Sequence, residues 1–259
     1  MTSAGVRVRA ANRLTRIVLC LLGLVTIGWG GSVLPLFWQE ASPDLTATKI
    51  LQGDTFNVQW LRAEARQAVE SANDPSCNPA ALRDLVILRV AIFNESITKD
   101  SKEIADSAYD PLYDATRKAL SCAPSDAFAW LTLFWLDVVR HGLNPGNANY
   151  LRLSYTLGPN EGSIALWRNR LAFLLYQQLP ADLADDAINE FVKLVNTEQL
   201  SFQTAAIFEN VPPVARSRIV EGLKGTTEVA RRRLARVLRD DGFDVDIPGI
   251  AKPEARPWR

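Results

Sequence analysis

The chain has 259 residues, 47% of them hydrophobic, with 29 basic and 29 acidic groups, one histidine and three cysteines. That length and apolar content allow a large buried core and exclude an intrinsically disordered polymer. Balanced charge gives no general reason to bind nucleic acid, and a single histidine with no Cys-x-x-Cys pair excludes most zinc chemistry.

Arg7, Arg9, Arg13 and Arg16 precede an uncharged run over residues 17–38. As a helix rising 1.5 Å per residue, this run reaches roughly 33 Å, enough to cross the hydrocarbon core of a bilayer. Glu40 and Asp44 follow it. The positive-inside rule therefore predicts an Arg-rich cytoplasmic tail over 1–16, a single transmembrane helix over 17–38, and the remaining chain on the far side. Arginine far outnumbers lysine, as in many bacterial chains, which would make this an inner-membrane protein with its main domain in the periplasm. A cleaved signal peptide is the competing reading, because Gly28, Gly30, Gly31 and Ser32 loosely fit a small-residue cleavage region.

Residues 39–53 are expected to form a linker, extended around 41–48. Residues 54–240 then carry helical periodicity punctuated by Pro, Gly, Asn and Asp, with no convincing period-two strand. Ten helices are predicted, over 54–72, 79–97, 102–121, 125–141, 147–157, 161–179, 181–195, 201–210, 213–222 and 226–239, with a C-terminal tail over 241–259. The expected fold class is all-α, a transmembrane helix followed by an antiparallel helical array. Caps support several starts: Asp74 with Pro75, Asn78 with Pro79, and Ser125 with Asp126. Asp241-Gly242-Phe243 should close the last helix, with Gly in the left-handed conformation and Phe folded back on the final turn.

Three segments resemble one another: Ser76-Cys77-Asn78-Pro79, Ser121-Cys122-Ala123-Pro124 and Thr156-Leu157-Gly158-Pro159 each close one helix and open an apolar one. The prolines are 45 and then 35 residues apart, the second interval being close to a tetratricopeptide repeat. Trp130 lies six residues after Pro124 and Ala119 five before it, positions where that family favours Trp and a small residue. Over about 101–197 the chain therefore resembles a tetratricopeptide-repeat protein. It departs from the pattern at Ala165, where Trp167 is displaced by two, and at Phe134 and Asp137, which occupy the family's Gly and Tyr positions. The resemblance implies a protein-interaction scaffold with a concave groove. It also implies that the position eleven after each proline, Trp135 and Arg170, faces that groove, where both types are common hot spots. An irregular helical bundle, with Trp135 in its core and Arg170 solvated or salt-bridged, is the alternative.

The chain lacks His-Glu-x-x-His, Gly-x-Ser-x-Gly and phosphate-loop motifs, so no cofactor and no enzymatic activity are expected. His141 ends a helix, where it can satisfy the last carbonyls, and Asp185-Asp186 reads as a solvated face. Asn94-Glu95-Ser96 matches a glycosylation sequon but falls inside a predicted helix. Cys20 lies in the apolar run. Outside the cytoplasm Cys77 and Cys122 form a natural disulfide pair, although matching sites of stacked repeats lie about 10 Å apart, beyond reach of a bridge; two free buried thiols are the alternative.

Charge is uneven towards the C-terminus: residues 180–210 are acidic, and residues 211–239 are rich in arginine. The last helix carries an apolar stripe of Val229, Leu234, Val237 and Leu238. Arg231, Arg232, Arg233 and Arg236 fall mostly on the other side. They either neutralise the acidic helices internally or offer a basic face to an anionic polysaccharide, lipid headgroup or acidic protein. The expected role is a membrane-anchored scaffold for envelope or inner-membrane proteins, with polysaccharide synthesis or export machinery as the client.

Overall fold

The computed structural model describes residues 3–72, 77–99 and 102–251; the side chains of 3–15, 33–44, 99 and 102–105 lie outside the description. Among the described residues the fold is all-α, without a strand. Its helices are α1 (Ser3–Gln52), α2 (Val58–Ala72), α3 (Pro79–Lys99), α4 (Lys102–Cys122), α5 (Ala127–His141), α6 (Pro145–Leu157), α7 (Gly162–Leu174), α8 (Ala181–Val195), α9 (Ser201–Glu209), α10 (Pro213–Gly222) and α11 (Glu228–Asp240).

Local chemistry sets the helix ends. Asn78 accepts from the Ala81 N–H at 3.2 Å, one residue before Pro79 opens α3. Asp126 caps α5 by accepting from the N–H groups of Phe128 and Ala129 at 2.8 and 3.0 Å. Asn144 and Asn147 form a reciprocal capping box around Pro145 at the start of α6. The predicted cap at Asp74 and Pro75 lies outside the described residues. At the other end, Gly242 takes φ 80°, and the Phe243 N–H donates to the Leu238 carbonyl at 2.7 Å. The Phe243 ring then packs edge-on against Phe208, 6.3 Å away.

Consecutive helices pack in pairs, α3 on α4, α5 on α6 and α7 on α8. The odd-numbered helices α3, α5, α7 and α9 also touch in series, as do α6, α8 and α10, so the array has two layers. Two apolar clusters fill it. One is centred on Leu88, Phe93, Leu112, Phe134 and Leu151, the other on Phe173, Phe191, Phe208, Ile219 and Leu234.

Several expectations are corrected. Residues 39–53 do not form an extended linker: α1 stays helical to Gln52, and Thr46, Ala47 and Ile50 are buried against α2 and α3. The predicted helix over 161–179 stops at Leu174 and continues as turns. These bury Tyr176 beside Phe173 and deliver the chain to Pro180, where α8 begins. Within the predicted C-terminal tail, Phe243, Val245, Ile247 and Ile250 pack on the second cluster; residues 252–259 lie outside the description. Val229 is 68% exposed and leaves the apolar stripe of α11. That stripe consists of Ala230, Leu234, Ala235, Val237 and Leu238, a helical spacing that 229 does not share.

Among the described residues no helix is long and apolar enough to cross a membrane. Residues 17–32 of the uncharged run are helical, and Leu24 and Ile27 are 65% and 72% exposed. The side chains of residues 33–38, which complete that run, lie outside the description.

Cys77 and Cys122 are joined as a disulfide, their Cα atoms 5.7 Å apart. The cysteines are not equivalent sites of stacked repeats. They bracket one helical hairpin, Cys77 just before α3 and Cys122 at the end of α4, and the close packing of these two helices brings the ends together.

Candidate partner-binding groove

Three of the odd-numbered helices present a stripe to the same side. On α5 the stripe is Phe128, Leu131, Thr132 and Trp135; on α7 it is Trp167, Arg170, Leu171 and Leu174; α3 adds Val90 and Asn94. The intervals of three, four and seven residues put each set on one helix face. Together they line a cavity of about 230 Å³. A second cavity of about 150 Å³, bounded by Gly53, Asp54 and Phe56 at the α1–α2 turn and by Glu95 of α3, shares Asn94, Trp167 and Arg170 with the first. A third of about 310 Å³ shares Arg170 and Leu174 and adds Ala206 and Ile207 of α9 and Asn210 just beyond it. One continuous groove thus runs across the odd-numbered helices, and Arg170 stands where all three hollows meet.

Trp135 and Arg170, the two predicted partner-binding residues, are brought together in this lining. The Trp135 ring packs edge-on against Phe93, 5.0 Å away, and Trp167 does the same against Phe128 at 6.3 Å. These core contacts hold both indoles in place while leaving part of each ring open to the groove. Arg170 is exposed and makes no hydrogen bond or ion pair among the described residues. Leu174 is 79% exposed, and Phe202 on α9 is 73% exposed. Sequence reasoning missed Val90, Trp167 and Leu174. Val90 was within reach, because it stands eleven after Pro79, the same offset that links Trp135 to Pro124 and Arg170 to Pro159.

Two residues before Arg170 the same helix turns a charge inward. Arg168 is completely buried, with Nε 3.1 Å from both carboxylate oxygens of Glu190 on α8. Its other nitrogens donate to the Ser154 carbonyl and hydroxyl at 2.7 and 3.0 Å and to the Gly158 carbonyl at 3.0 Å. The guanidinium also lies over the Tyr155 ring, 4.5 Å from its centre. Asn169 donates to the other side of Glu190 at 2.6 Å. Burial pushes the Glu190 carboxyl above the usual glutamate range against the opposing pull of Arg168 and Asn169. The network ties α6, α7 and α8 together.

The C-terminal arginines are largely engaged within the fold. Arg231 donates to the carbonyls of Leu223, Lys224 and Thr226 at 3.1, 3.2 and 2.7 Å. Arg232 pairs with Glu228, and Arg233 pairs with Glu198 at 3.2 Å. Arg236 is exposed and makes no bond among the described residues. Asp185 is paired with Arg218 at 2.5 Å rather than simply solvated, and Asp182 is paired with Arg152 at 2.6 Å. His141 places Nδ1 2.9 Å from Asp137 on its own helix. Among the described residues no group of three His, Cys, Asp or Glu could hold a metal ion.

No family model matches this chain, and neither does any curated protein or solved structure.

Proposed function

We propose that the chain is a membrane-anchored periplasmic scaffold whose helical groove seats a segment of an envelope protein, with Trp135, Trp167 and Arg170 as the anchoring side chains. The observation that carries this reading is Arg170. It is an unpaired cation at the junction of three adjoining hollows, two with mostly aromatic and aliphatic walls and one that also carries Asp54 and Glu95. Rigid aromatic rings beside an uncommitted guanidinium have the composition of a binding hot spot, since they contribute contact area with little further loss of side-chain freedom. The uncharged run over 17–38 behind four arginines supports the anchor. A disulfide between Cys77 and Cys122 suits an oxidising compartment. Anchoring would raise the local concentration of the groove towards any partner in the same membrane, so modest affinity would suffice.

The test is in-cell photo-crosslinking from Asn94 and Leu174, positions that line the groove. A discrete adduct is expected, and W135A/R170A should reduce it about tenfold or more while helical content is unchanged. A stable double variant that crosslinks as well as the parent chain removes these residues and the groove from consideration.

A further inference from the structure

Outside the groove, α2, α3 and the first turns of α4 enclose a cavity of about 500 Å³, roughly twice the central hollow of the groove. Arg62 and Arg66, one turn apart on α2, enter it from one side, and Arg89 on α3 enters from another. Among the described residues its lining contains no carboxylate.

None of these three arginines makes a hydrogen bond or an ion pair among the described residues. The contrast within the molecule is sharp. Arg83, Arg152, Arg168, Arg218, Arg232 and Arg233 each meet a carboxylate. Arg89 is the most constrained of the three, because its Nε is buried without an acceptor. Asp114 acts on it through space without bonding to it, and burial holds its acidity above that of a free guanidinium. Three like charges gathered in a half-enclosed hollow repel one another, and a buried N–H lacking an acceptor is unfavourable. An oxyanion relieves both effects, since guanidinium groups present paired donors that match phosphate oxygens. The remaining wall includes Val69, Ile92 and Pro111, which are apolar and leave more room than a bare phosphate fills.

We infer that this cavity is a binding site for a phosphate or diphosphate ester carried on an apolar or organic body, held by Arg62, Arg66 and Arg89. The site is separate from the partner groove and from the arginines of α11. The same head group occurs on soluble organic phosphates and on anionic lipids, and the experiment separates these sources.

The full chain in a neutral detergent is titrated with inorganic diphosphate, with short-chain phosphatidic acid and with short-chain phosphatidylcholine, following thermal stability and calorimetric binding. Stabilisation by diphosphate identifies a soluble phosphate ester as ligand. Stabilisation by phosphatidic acid alone identifies a lipid head group. In either case R62Q/R66Q, on the accessible side of the cavity, should weaken binding by about tenfold or more. R89K, which keeps the charge but removes the fork, should weaken it by a smaller factor. Absence of binding by both phosphates, equal binding of phosphatidylcholine, or binding that R62Q/R66Q leaves unchanged overturns the assignment.

Discussion

Arg168 and Arg170 stand two residues apart on α7 and meet opposite surroundings, one wholly buried, the other exposed in the groove. The inward turn of Arg168 was not legible from sequence. A charged residue reads as surface, and only the folded positions of Ser154, Gly158 and Glu190 provide its acceptors. Removing one partner of such a pair leaves an uncompensated buried charge, so E190A should lose about 3–5 kcal/mol of stability in chemical denaturation. E190Q should lose less than E190A, because an amide oxygen still accepts from Arg168 even though the guanidinium charge is left without its counterion. The pH dependence has a definite sign. The folded pKa of Glu190 lies above its unfolded value, so the folded chain holds this proton where the unfolded chain has released it. The contribution is therefore complete below the unfolded pKa and is lost as pH rises through the folded one. Relative to E190Q, the parent chain should lose stability as pH rises from the ordinary glutamate range through the raised folded value; a difference independent of pH would show that Glu190 does not titrate as described.

At the scale of elements, the helices from α2 onward were legible to within a few residues. Their starts carry Asn, Asp and Pro in capping positions, and their ends carry glycines such as Gly142 and Gly242 with positive φ. Two boundaries were not. Residues 39–53 read as a linker, yet α1 continues to Gln52 because Thr46, Ala47 and Ile50 find burial against helices that come later in the sequence. The stretch after Leu174 kept an apolar pattern, but Tyr176 is turned inward by packing that periodicity does not encode. The groove was partly legible. Trp135 and Arg170 followed from their offset to the prolines, whereas Trp167 and Leu174 require knowing which face of α7 the core consumes. The α3–α4 hairpin is the element closed by Cys77 and Cys122. C77A/C122A should lower stability by about 2–4 kcal/mol in urea denaturation under non-reducing conditions; an unchanged midpoint would mean that helix packing alone holds the hairpin.

Across the whole molecule, the acidic and basic blocks of the C-terminal half fold onto one another. Arg218 meets Asp185 and Arg233 meets Glu198. The sequence left open whether those arginines serve the fold or a ligand, because pairing between distant positions is settled only by tertiary structure. The proposed placement in the envelope has its own test. The full chain should remain with carbonate-washed membranes, and Cys77 and Cys122 should react with a maleimide only after reduction. Recovery in the soluble fraction with both thiols reactive would remove the anchor and the periplasmic placement together. One feature of α1 bears on how such an anchored chain would behave. Its last turns are seated in the domain, Ile50 lies at the edge of the groove, and Gln203 of α9 donates to the Gln52 carbonyl at 3.4 Å. In the proposed anchored chain, a shaft gripped in this way would leave no swivel at the domain end: torque or tilt entering through the lipid would arrive at the wall where a client would sit, and one residue inserted into the shaft would swing that wall by about 100°.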